Sequence, residues 1–334
     1  MLNGHGDDIH NYKTEIISNF SSNVFARQDM TMLDDYLCKY IRSIHTYPEP
    51  DAHSVAAILA NQNKVASENI CITNGATEAI YLIAQAFGKS NTAIIIPTFS
   101  EYEDACRIHG HNLHFYKRVE DINSDIHLLW LCNPNNPTGY VYNKEYLETI
   151  IKEHPKTVFI FDQSYEHFTE KEIFSIKEAT KFKNVILLHS MTKHYTIPGL
   201  RLGYITGHKD ILTKISAYRM PWSVNQLAIE AGNFLLSNTI ETINIPAYLS
   251  ETKRLQSELN RIERLTVYPT DTHFFLCKLT DRKASELKSY LIEKYGILIR
   301  DAGNFRGLDE SYFRIATQSA EENNNLIRAI KGWI

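Results

Sequence analysis

The sequence lacks the features that define several large classes of protein. No run approaches the ~20 consecutive apolar residues that a membrane-spanning helix requires. The first residues show neither the basic nor the apolar segment of a secretory signal, so we expect no leader. The 334 residues carry 35 basic and 39 acidic side chains, and the net charge of −4 disfavours non-specific binding to nucleic acid. We therefore expect a cytoplasmic protein with small-molecule partners, rather than one that binds a membrane or nucleic acid.

Cysteine and histidine are not arranged as in disulfide-rich or metal-binding proteins. The five cysteines are scattered singly with no C-x-x-C pair, as expected of reduced thiols rather than of a disulfide framework or a zinc site. The 14 histidines show no H-E-x-x-H or comparable spacing, so we predict no metal site. The cysteines are Cys38, Cys71, Cys106, Cys132 and Cys277.

The sequence does contain an alternation of strand-like and helix-like segments in an ordinary globular composition. Apolar residues make up 43% and charged residues 22%, and the length suits two domains. Short β-branched runs alternate with helical segments, which is typical of a mostly parallel sheet covered by helices. The runs at 126–132 and 158–161 are almost continuously apolar, which predicts strands buried on both faces. The predicted strands are 70–73, 92–96, 112–116, 126–132, 157–161, 185–189 and 203–206.

The pattern changes after residue 223. A long helical region at about 225–264, broken at Pro246, is followed by a predicted strand at 272–279, a helix, two short strands and a C-terminal helix. This succession predicts a compact α+β unit. The predicted division is an N-terminal arm at 1–44 that packs with the small domain, a large α/β domain at 45–235 and a small C-terminal α+β domain at 236–334.

The segment 189–204 contains a lysine directly after an apolar strand. Lys193 is flanked by the hydroxyls of Ser190 and Thr192, and Arg201 follows eight residues later. A single lysine is usually an exposed surface residue. A lysine that leaves a buried strand can instead be desolvated, which lowers its pKa and makes its amine a nucleophile. Hydroxyls and a guanidinium nearby suit a phosphate.

Further polar residues follow neighbouring predicted strands. Asn136 lies in the N-P-N-N-P-T-G segment at 133–139, and Asp162 and Tyr165 come at the end of the next strand. Taken singly, these residues indicate a turn and a helix cap. Because ligands bind at the carboxyl ends of strands in open α/β sheets, they also predict one site shared with Lys193.

The segment Thr73-Asn-Gly-Ala-Thr-Glu-Ala79 passes from a strand through a glycine turn into a helix. Such a turn presents free backbone N–H groups and the positive end of the helix dipole to an anion. An ordinary helix cap has the same local pattern. The segment is neither G-x-G-x-x-G nor G-x-x-x-x-G-K-[ST], which disfavours a dinucleotide or P-loop site.

Together, N-G-A-T-E-A, N-P-N-N-P-T-G, D-x-x-Y and S-x-T-K…G-L-R resemble the fold-type-I pyridoxal-phosphate enzymes of the class I/II aminotransferase family. Within that family, the similarity is greatest to histidinol-phosphate aminotransferase and threonine-phosphate decarboxylase. The match runs from about residue 5 to the C-terminal helix. It implies the aspartate aminotransferase-like α/β fold: a large domain with a mostly parallel seven-stranded sheet between helices, plus a smaller α+β domain.

The resemblance implies roles for residues around a bound pyridoxal 5'-phosphate. Lys193 would form the Schiff base with the cofactor aldehyde and move the proton at the substrate Cα. Asp162 would pair with the pyridinium nitrogen. Tyr165 and Asn136 would hydrogen-bond the phenolic oxygen, and Phe99 would stack on the ring.

The resemblance also implies contacts to the cofactor phosphate and to the substrate. Tyr47 would reach the cofactor phosphate of a neighbouring subunit, which implies a homodimer with shared sites. Arg314 would hold the substrate carboxylate in a bidentate fork. The remaining expected phosphate contacts are Gly75, Ala76, Thr77, Ser190, Thr192 and Arg201, and the remaining expected substrate contacts are Asn136, Asn23 and His5.

The sequence departs from the family pattern at two places. Thr192 stands where serine is usual and keeps the hydroxyl. Gln318 and Ala320 stand where a second basic residue would hold a substrate phosphate. That second departure puts a phosphorylated substrate in doubt.

The choice of reaction depends on which bond is held perpendicular to the cofactor ring. Transamination is the commoner activity among relatives, whereas the N-terminal G-H-G-D segment and the residues around Lys193 resemble the decarboxylase. We predict a biosynthetic aminotransferase that acts on an amino acid or phosphorylated amine, with a 2-oxo acid as second substrate. The alternatives are the L-threonine-O-3-phosphate decarboxylase of cobalamin biosynthesis and, in a different class, a non-catalytic binding protein with the same fold.

Overall fold

The structure is a computed structural model that describes residues 6–24, 29–238 and 243–334. Its strands are β1 (Ser18–Asn19), β2 (Ile70–Thr73), β3 (Asn91–Ile95), β4 (Asn112–Tyr116), β5 (Leu128–Cys132), β6 (Val158–Asp162), β7 (Val185–Ser190), β8 (Gly203–Gly207), β9 (Leu265–Val267), β10 (Phe274–Leu279), β11 (Ile297–Leu298), β12 (Arg300–Asp301) and β13 (Tyr312–Ala316). Its α-helices are α1 (Thr31–Tyr40), α2 (His53–Asn63), α3 (Gly75–Ala86), α4 (Glu101–Ile108), α5 (Lys144–Glu153), α6 (Ile176–Ala179), α7 (Met191–His194), α8 (Lys209–Ser216), α9 (Gln226–Ser237), α10 (Ile245–Leu259), α11 (Ala284–Tyr295) and α12 (Ala320–Trp333).

The large sheet has seven strands in the order β2-β8-β7-β6-β5-β3-β4. Neighbouring strands from β7 to β4 are parallel, whereas β8 runs antiparallel to both β2 and β7. Every residue of β5 is buried, as its continuous apolar run predicts for a strand covered on both faces. The predicted α/β fold and the seven strands of its sheet are confirmed, with ends that differ by at most two residues.

A second sheet of four antiparallel strands, in the order β12-β13-β10-β9, lies in the C-terminal part. Its core includes Phe275, Phe313 and Leu326, so α12 packs against this sheet. The predicted break at Pro246 is confirmed, because Pro246 occupies the first turn of α10, where its missing N–H costs no helical hydrogen bond. The small α+β unit that the sequence predicts is therefore present.

The N-terminal arm contacts both parts of the molecule. Within it, β1 pairs in parallel with β11, which attaches residues 18–19 to the C-terminal part of the chain. Leu33 of α1 instead shares a core with Val55 and Ile229, which lie on α2 and α9 beside the large sheet. The amphipathic α1 buries its apolar face there. The domain boundaries at 44 and 235 stay a prediction.

The direction of the central strands determines where a site can form. Because β5, β6 and β7 are parallel, their carboxyl ends lie at one edge of the sheet, and α3 begins beside them. Across the described ranges, no helix is long and apolar enough to cross a membrane. The same ranges contain no group of three or more His, Cys, Asp or Glu side chains placed to hold a metal ion.

Candidate active site

The predicted site residues meet in one cleft at the carboxyl ends of β5, β6 and β7. The space that it encloses, counted with its opening to solvent, is about 560 Å³. Asp162 ends β6, Ser190 ends β7, and Lys193 lies in the short helix α7 that follows. The predicted residues that line the cleft are Ala76, Thr77, Phe99, Asn136, Asp162, Tyr165, Ser190, Thr192, Lys193 and Arg201.

Lys193 has an unusually acidic ammonium group. Burial, followed by the positive charges of Arg314 and Arg201, lowers the pKa of its amine from 10.5 to about 8. The negative charge of Asp162 acts in the opposite direction and is the weaker influence. An amine with this pKa is partly unprotonated near neutral pH, and only the unprotonated form is nucleophilic.

Asp162 lies at the base of the cleft and is held by two donors. The Tyr102 hydroxyl donates to Oδ2 at 2.6 Å, and the Ser164 backbone N–H donates to Oδ1 at 2.9 Å. Burial raises the pKa of Asp162, while both donors favour its charged form. Tyr102 is fixed in turn by stacking on Trp130, with ring centroids 4.9 Å apart. A carboxylate oriented in this way can pair with a cationic ring nitrogen.

The opposite end of the cleft presents donors for an anion. Gly75 begins α3 with φ +76°, and a Cβ at this position would lie 2.6 Å from Nη2 of Arg201. The guanidinium can therefore approach the helix N-terminus only because residue 75 is glycine. The hydroxyls of Ser190 and Thr192, 2.8 Å apart, face the same space. Helix N–H groups, hydroxyls and a guanidinium together suit a phosphate.

Tyr165 is a buried phenol whose oxygen accepts a hydrogen bond from Nδ2 of Asn23 at 3.1 Å. Burial raises its pKa to about 12, and the positive charge of Arg314 opposes that rise. The ring packs edge-on against Phe274 with centroids 4.8 Å apart. Tyr165 therefore remains a neutral donor at physiological pH, directed by residues from the N-terminal segment and the small sheet.

Arg314 lines an adjoining cavity of about 330 Å³, counted with its opening to solvent, and this cavity shares Phe99 and Asn136 with the cleft. Its Nη1 donates to Oδ1 of Asn136, and its Nη2 donates to the Ser21 carbonyl. Within the described residues, its buried Nε has no hydrogen-bond partner. Burial lowers the pKa of Arg314 to about 10, so this side chain remains a cation with an unused donor. A ligand carboxylate would satisfy that donor.

The adjoining cavity contains a second arginine that the sequence analysis did not identify. Arg300 on β12 lies directly across from Arg314 on β13, because the two strands pair in antiparallel register. Its Nη2 donates to Oδ1 of Asn304 at 2.9 Å, and its Nη1 donates to the Asp301 carbonyl. Burial lowers its pKa. The sequence predicts the two short strands but not the register that brings Arg300 beside Arg314.

The position of Arg300 corrects the expectation that a second basic residue would follow Arg314 in the sequence. Gln318 donates hydrogen bonds to the backbone carbonyls of Asn19 and Ala316, so it supports the N-terminal segment. The second cation lies on the preceding strand at Arg300, and both arginines line the same cavity. Arg300 therefore supplies a second cation beside Arg314 at a position other than 318 or 320.

Two predicted residues lie outside this arrangement. Tyr47 is 85% exposed and does not line the cleft, and its ring contacts Trp222 at a centroid distance of 5.5 Å. His5 lies outside the described residues. The structure adds Tyr102 and Ser164 to the cleft lining. Their contribution depends on contacts with Asp162 that no short motif encodes.

The cleft fits the pyridoxal phosphate that the resemblance implies. It combines an anion-binding end at Gly75, an amine at Lys193 and a carboxylate at Asp162, with Phe99 as an aromatic wall. Phe99 lies edge-on to Tyr102 at 5.8 Å, which restricts the orientation of its ring. A phosphorylated, aromatic, cationic aldehyde needs these four kinds of partner.

Comparison with known proteins identifies the family. The model of aminotransferase class I and II matches residues 22–330. A histidinol-phosphate aminotransferase of Caldanaerobacter subterraneus subsp. tengcongensis is 31% identical over 307 residues, 87% of this chain and 86% of that relative. A threonine-phosphate decarboxylase of Salmonella typhimurium is 29% identical over 350 residues, 98% of this chain and 95% of that relative.

A solved structure is also similar over nearly the whole chain. The L-threonine-O-3-phosphate decarboxylase from Porphyromonas gingivalis has a TM-score of 0.93 and 42% sequence identity, with 95% of this chain and 99% of that chain covered. The fold, the match to the family model and the assembled cleft agree. The chain belongs to the aminotransferase class I and II family of pyridoxal-phosphate-dependent enzymes.

Proposed function

We propose that this enzyme decarboxylates a phosphorylated amino acid, L-threonine O-3-phosphate. The observation that carries the proposal is the pair of buried arginines, Arg300 and Arg314, in one cavity next to the cofactor cleft. A substrate with a carboxylate and a phosphate supplies the two anionic groups that such a pair requires. Similarity to proteins named threonine-phosphate decarboxylase supports the same substrate.

The cleft residues divide the work of holding the cofactor. When bound, pyridoxal phosphate supplies a conjugated ring that takes up the electron pair of the bond broken at the substrate Cα. Asp162 keeps the ring nitrogen protonated, Tyr165 and Asn136 donate to the phenolic oxygen, and Phe99 packs on the ring. The phosphate contacts in this proposal are Gly75, Ala76, Thr77, Ser190, Thr192 and Arg201.

Lys193 has two tasks in this proposal. Its unprotonated amine carries the cofactor between turnovers, and its ammonium form delivers a proton to the Cα carbon once carbon dioxide has left. A pKa of about 8 suits both tasks, because the two forms coexist near neutral pH. The cavity lined by Arg300 and Arg314, the arginine cavity, would hold the substrate so that the bond to its carboxyl carbon, rather than the Cα–H bond, is the one that breaks when the cofactor is bound.

Transamination of histidinol phosphate remains the second candidate. It uses the same cofactor contacts, but Lys193 would remove a proton from Cα, and a 2-oxo acid would accept the amino group. The similarity to a protein named histidinol-phosphate aminotransferase supports it. A non-catalytic role is less well supported, because Lys193 and Asp162 line the same cleft and burial lowers the pKa of the Lys193 amine to about 8.

We also propose a homodimer in which Tyr47 reaches the cofactor phosphate of the partner subunit. Tyr47, Trp222 and Met220 expose 85%, 50% and 70% of their surface, and the backbone N–H of Trp222 bonds to the Pro50 carbonyl. Large exposed apolar side chains that lie together are typical of an interface. Light scattering that gives twice the 38.5 kDa chain mass would support the dimer, and a monomer that turns over normally would refute it.

The deciding experiment compares the two reactions on the purified holoenzyme. Threonine phosphate alone should yield carbon dioxide and the phosphorylated amino alcohol in equal amounts. Histidinol phosphate with 2-oxoglutarate should yield no glutamate. Glutamate without carbon dioxide would reject the decarboxylase and establish the transaminase.

Two variants serve as controls for this comparison. Lys193→Ala should slow carbon dioxide release by several orders of magnitude. Such a loss would show that the release depends on the enzyme and not on background chemistry. Arg300→Gln should raise KM for threonine phosphate with little change for unphosphorylated threonine. Equal effects on both substrates would show that Arg300 does not face the phosphate.

A further inference from the structure

Residues 302–308, which form most of the loop between β12 and β13, lie between two cavities. On one side, Asn304 and Phe305 line the arginine cavity. On the other side, the same two residues line an outer crevice of about 790 Å³ that they share with Ser100 and Glu103 at the start of α4. Phe99 and Ser100 also line both spaces, so the loop and the segment before α4 together form the boundary between them.

The 302–308 loop also fixes the direction of Arg300. Asn304 accepts the hydrogen bond from Nη2 of Arg300, and the ring of Phe305 lies 5.1 Å from the centre of its guanidinium. One contact is polar and the other is a cation–π contact, so together they hold the guanidinium plane. A displacement of the loop would change the orientation of Arg300 as well as the shape of the cavity.

The loop is attached to α4 by a bidentate ion pair. Nε and Nη2 of Arg306 donate to the two carboxylate oxygens of Glu103, each at 2.7 Å. The guanidinium also lies over Phe115 of β4, 4.1 Å from its centroid. By contrast, the backbone hydrogen bonds of Phe305 and Leu308 close turns within the loop itself. The Arg306–Glu103 ion pair thus joins the loop to α4 across 203 residues of sequence.

The geometry of this ion pair is better than that of most surface pairs. Single exposed pairs contribute little to stability, but bidentate arginine–carboxylate pairs with low exposure are the exception. Glu103 is only 18% exposed, and Arg306 is 44% exposed. The hydrogen bonds from Arg306 contribute most to lowering the pKa of Glu103, so the pair remains ionised at neutral pH.

We propose that Arg306 and Glu103 are positioning residues for substrate phosphate: their ion pair holds the 302–308 loop against α4 and so keeps Arg300 oriented in the arginine cavity. This inference rests on the proposed function, because it assigns the phosphate to Arg300. Neither residue touches the cofactor cleft, so both act through Asn304 and Phe305. Opening of the pair joins the cavity to the outer crevice, which offers substrate a route of entry.

The chain provides a matched control on the same carboxylate. Nε and Nη2 of Arg107 bond Oε1 of Glu103 at 2.9 and 2.7 Å, but Arg107 lies on α4 itself and lines neither cavity. Arg306→Gln and Arg107→Gln each remove one of the positive charges that pair with Glu103. Only the first releases the loop.

Two measurements on the holoenzyme test the inference. In Arg306→Gln, amide hydrogen exchange across 302–308 should accelerate, and KM for threonine phosphate should rise about three- to tenfold with kcat nearly unchanged. KM for unphosphorylated threonine should stay constant, and Arg306→Lys should restore part of the loss. Arg107→Gln should behave as the wild type in both measurements.

The outcomes separate this inference from the function on which it rests. Unchanged exchange in Arg306→Gln, or equal effects of Arg306→Gln and Arg107→Gln, would overturn the positioning role. A rise in KM for both substrates alike would also overturn it. If the wild-type enzyme does not prefer threonine phosphate to threonine, the proposed function fails, and the exchange measurement alone then decides whether the ion pair holds the loop.

Discussion

The acidity of Lys193 gives the most quantitative prediction. With its pKa lowered from 10.5 to about 8, this amine should be about one-tenth unprotonated at pH 7. An ordinary lysine would be unprotonated in only about one molecule in 3,000 at that pH. Lys193 should therefore react with an aldehyde about 300-fold faster at pH 7 than a solvated lysine of equal nucleophilicity.

The perturbation is pH, and the assay is stopped-flow absorbance of the apo-protein mixed with pyridoxal phosphate. Below pH 8, the rate of covalent capture should rise about tenfold per unit, and above pH 8 it should level off. The amine of N-acetyl-lysine methyl ester, measured in parallel, corrects for titration of the cofactor itself. Lys193→Ala should show no covalent phase.

A second variant tests the physical cause of this acidity. After burial, the positive charge of Arg314 lowers the pKa of Lys193 most. Arg314 lines the adjoining cavity and not the end of the cleft expected to hold the cofactor phosphate. Arg314→Gln should therefore move the midpoint of the capture rate above pH 8. A midpoint near 10.5 in the wild type, or a downward shift in Arg314→Gln, would refute the reasoning.

The other predictions concern the cofactor contacts. Gly75→Ala should weaken cofactor binding at least tenfold by equilibrium titration, because the new Cβ displaces Arg201 and left-handed φ costs about 1–2 kcal/mol; unchanged affinity would contradict this. Tyr102→Phe removes a donor worth about 1.5–3 kcal/mol, so the acid limb of kcat/KM should move up by about one to two pH units, since Asp162 protonates more easily. Tyr47→Phe should raise the cofactor dissociation constant about tenfold without changing the oligomer mass; a loss of the dimer would point to a structural role.

The pH dependence of stability has a definite sign at Lys193. Because its folded-state pKa is below the unfolded value, the folded protein binds fewer protons than the unfolded chain between about pH 8 and 10.5. This group therefore makes the free energy of unfolding of the apo-protein rise with pH in that window. Lys193→Ala lacks this amine. The difference in the free energy of unfolding between the wild type and this variant, followed across the same pH window, therefore isolates the contribution of Lys193.

The large sheet could be predicted from the sequence because its central strands, β5 and β6, are almost continuously apolar. The run at 128–132 cannot be amphipathic in any register, so burial on both faces was the only stable arrangement. Parallel strands then place Asp162 and Lys193 at the same edge. For these two residues, the local sequence pattern and the sheet topology predict the same location.

The arginine cavity could not be predicted in this way. Arg300 lies in a two-residue strand, and its place beside Arg314 depends on strand register rather than on any motif. The contact between Tyr102 and Asp162 spans 60 residues and depends on which face of α4 packs on the sheet. Such contacts arise from packing between distant segments, which single-sequence patterns do not encode.

The central claim is that the amine of Lys193 carries the cofactor. Reduction of the holoenzyme with borohydride, followed by proteolysis and mass spectrometry of the peptides, tests it most directly. The account predicts that the phosphopyridoxyl group is found on the peptide that contains Lys193, at one group per chain. A group on a different lysine, or an active holoenzyme that borohydride leaves unlabelled, would contradict it.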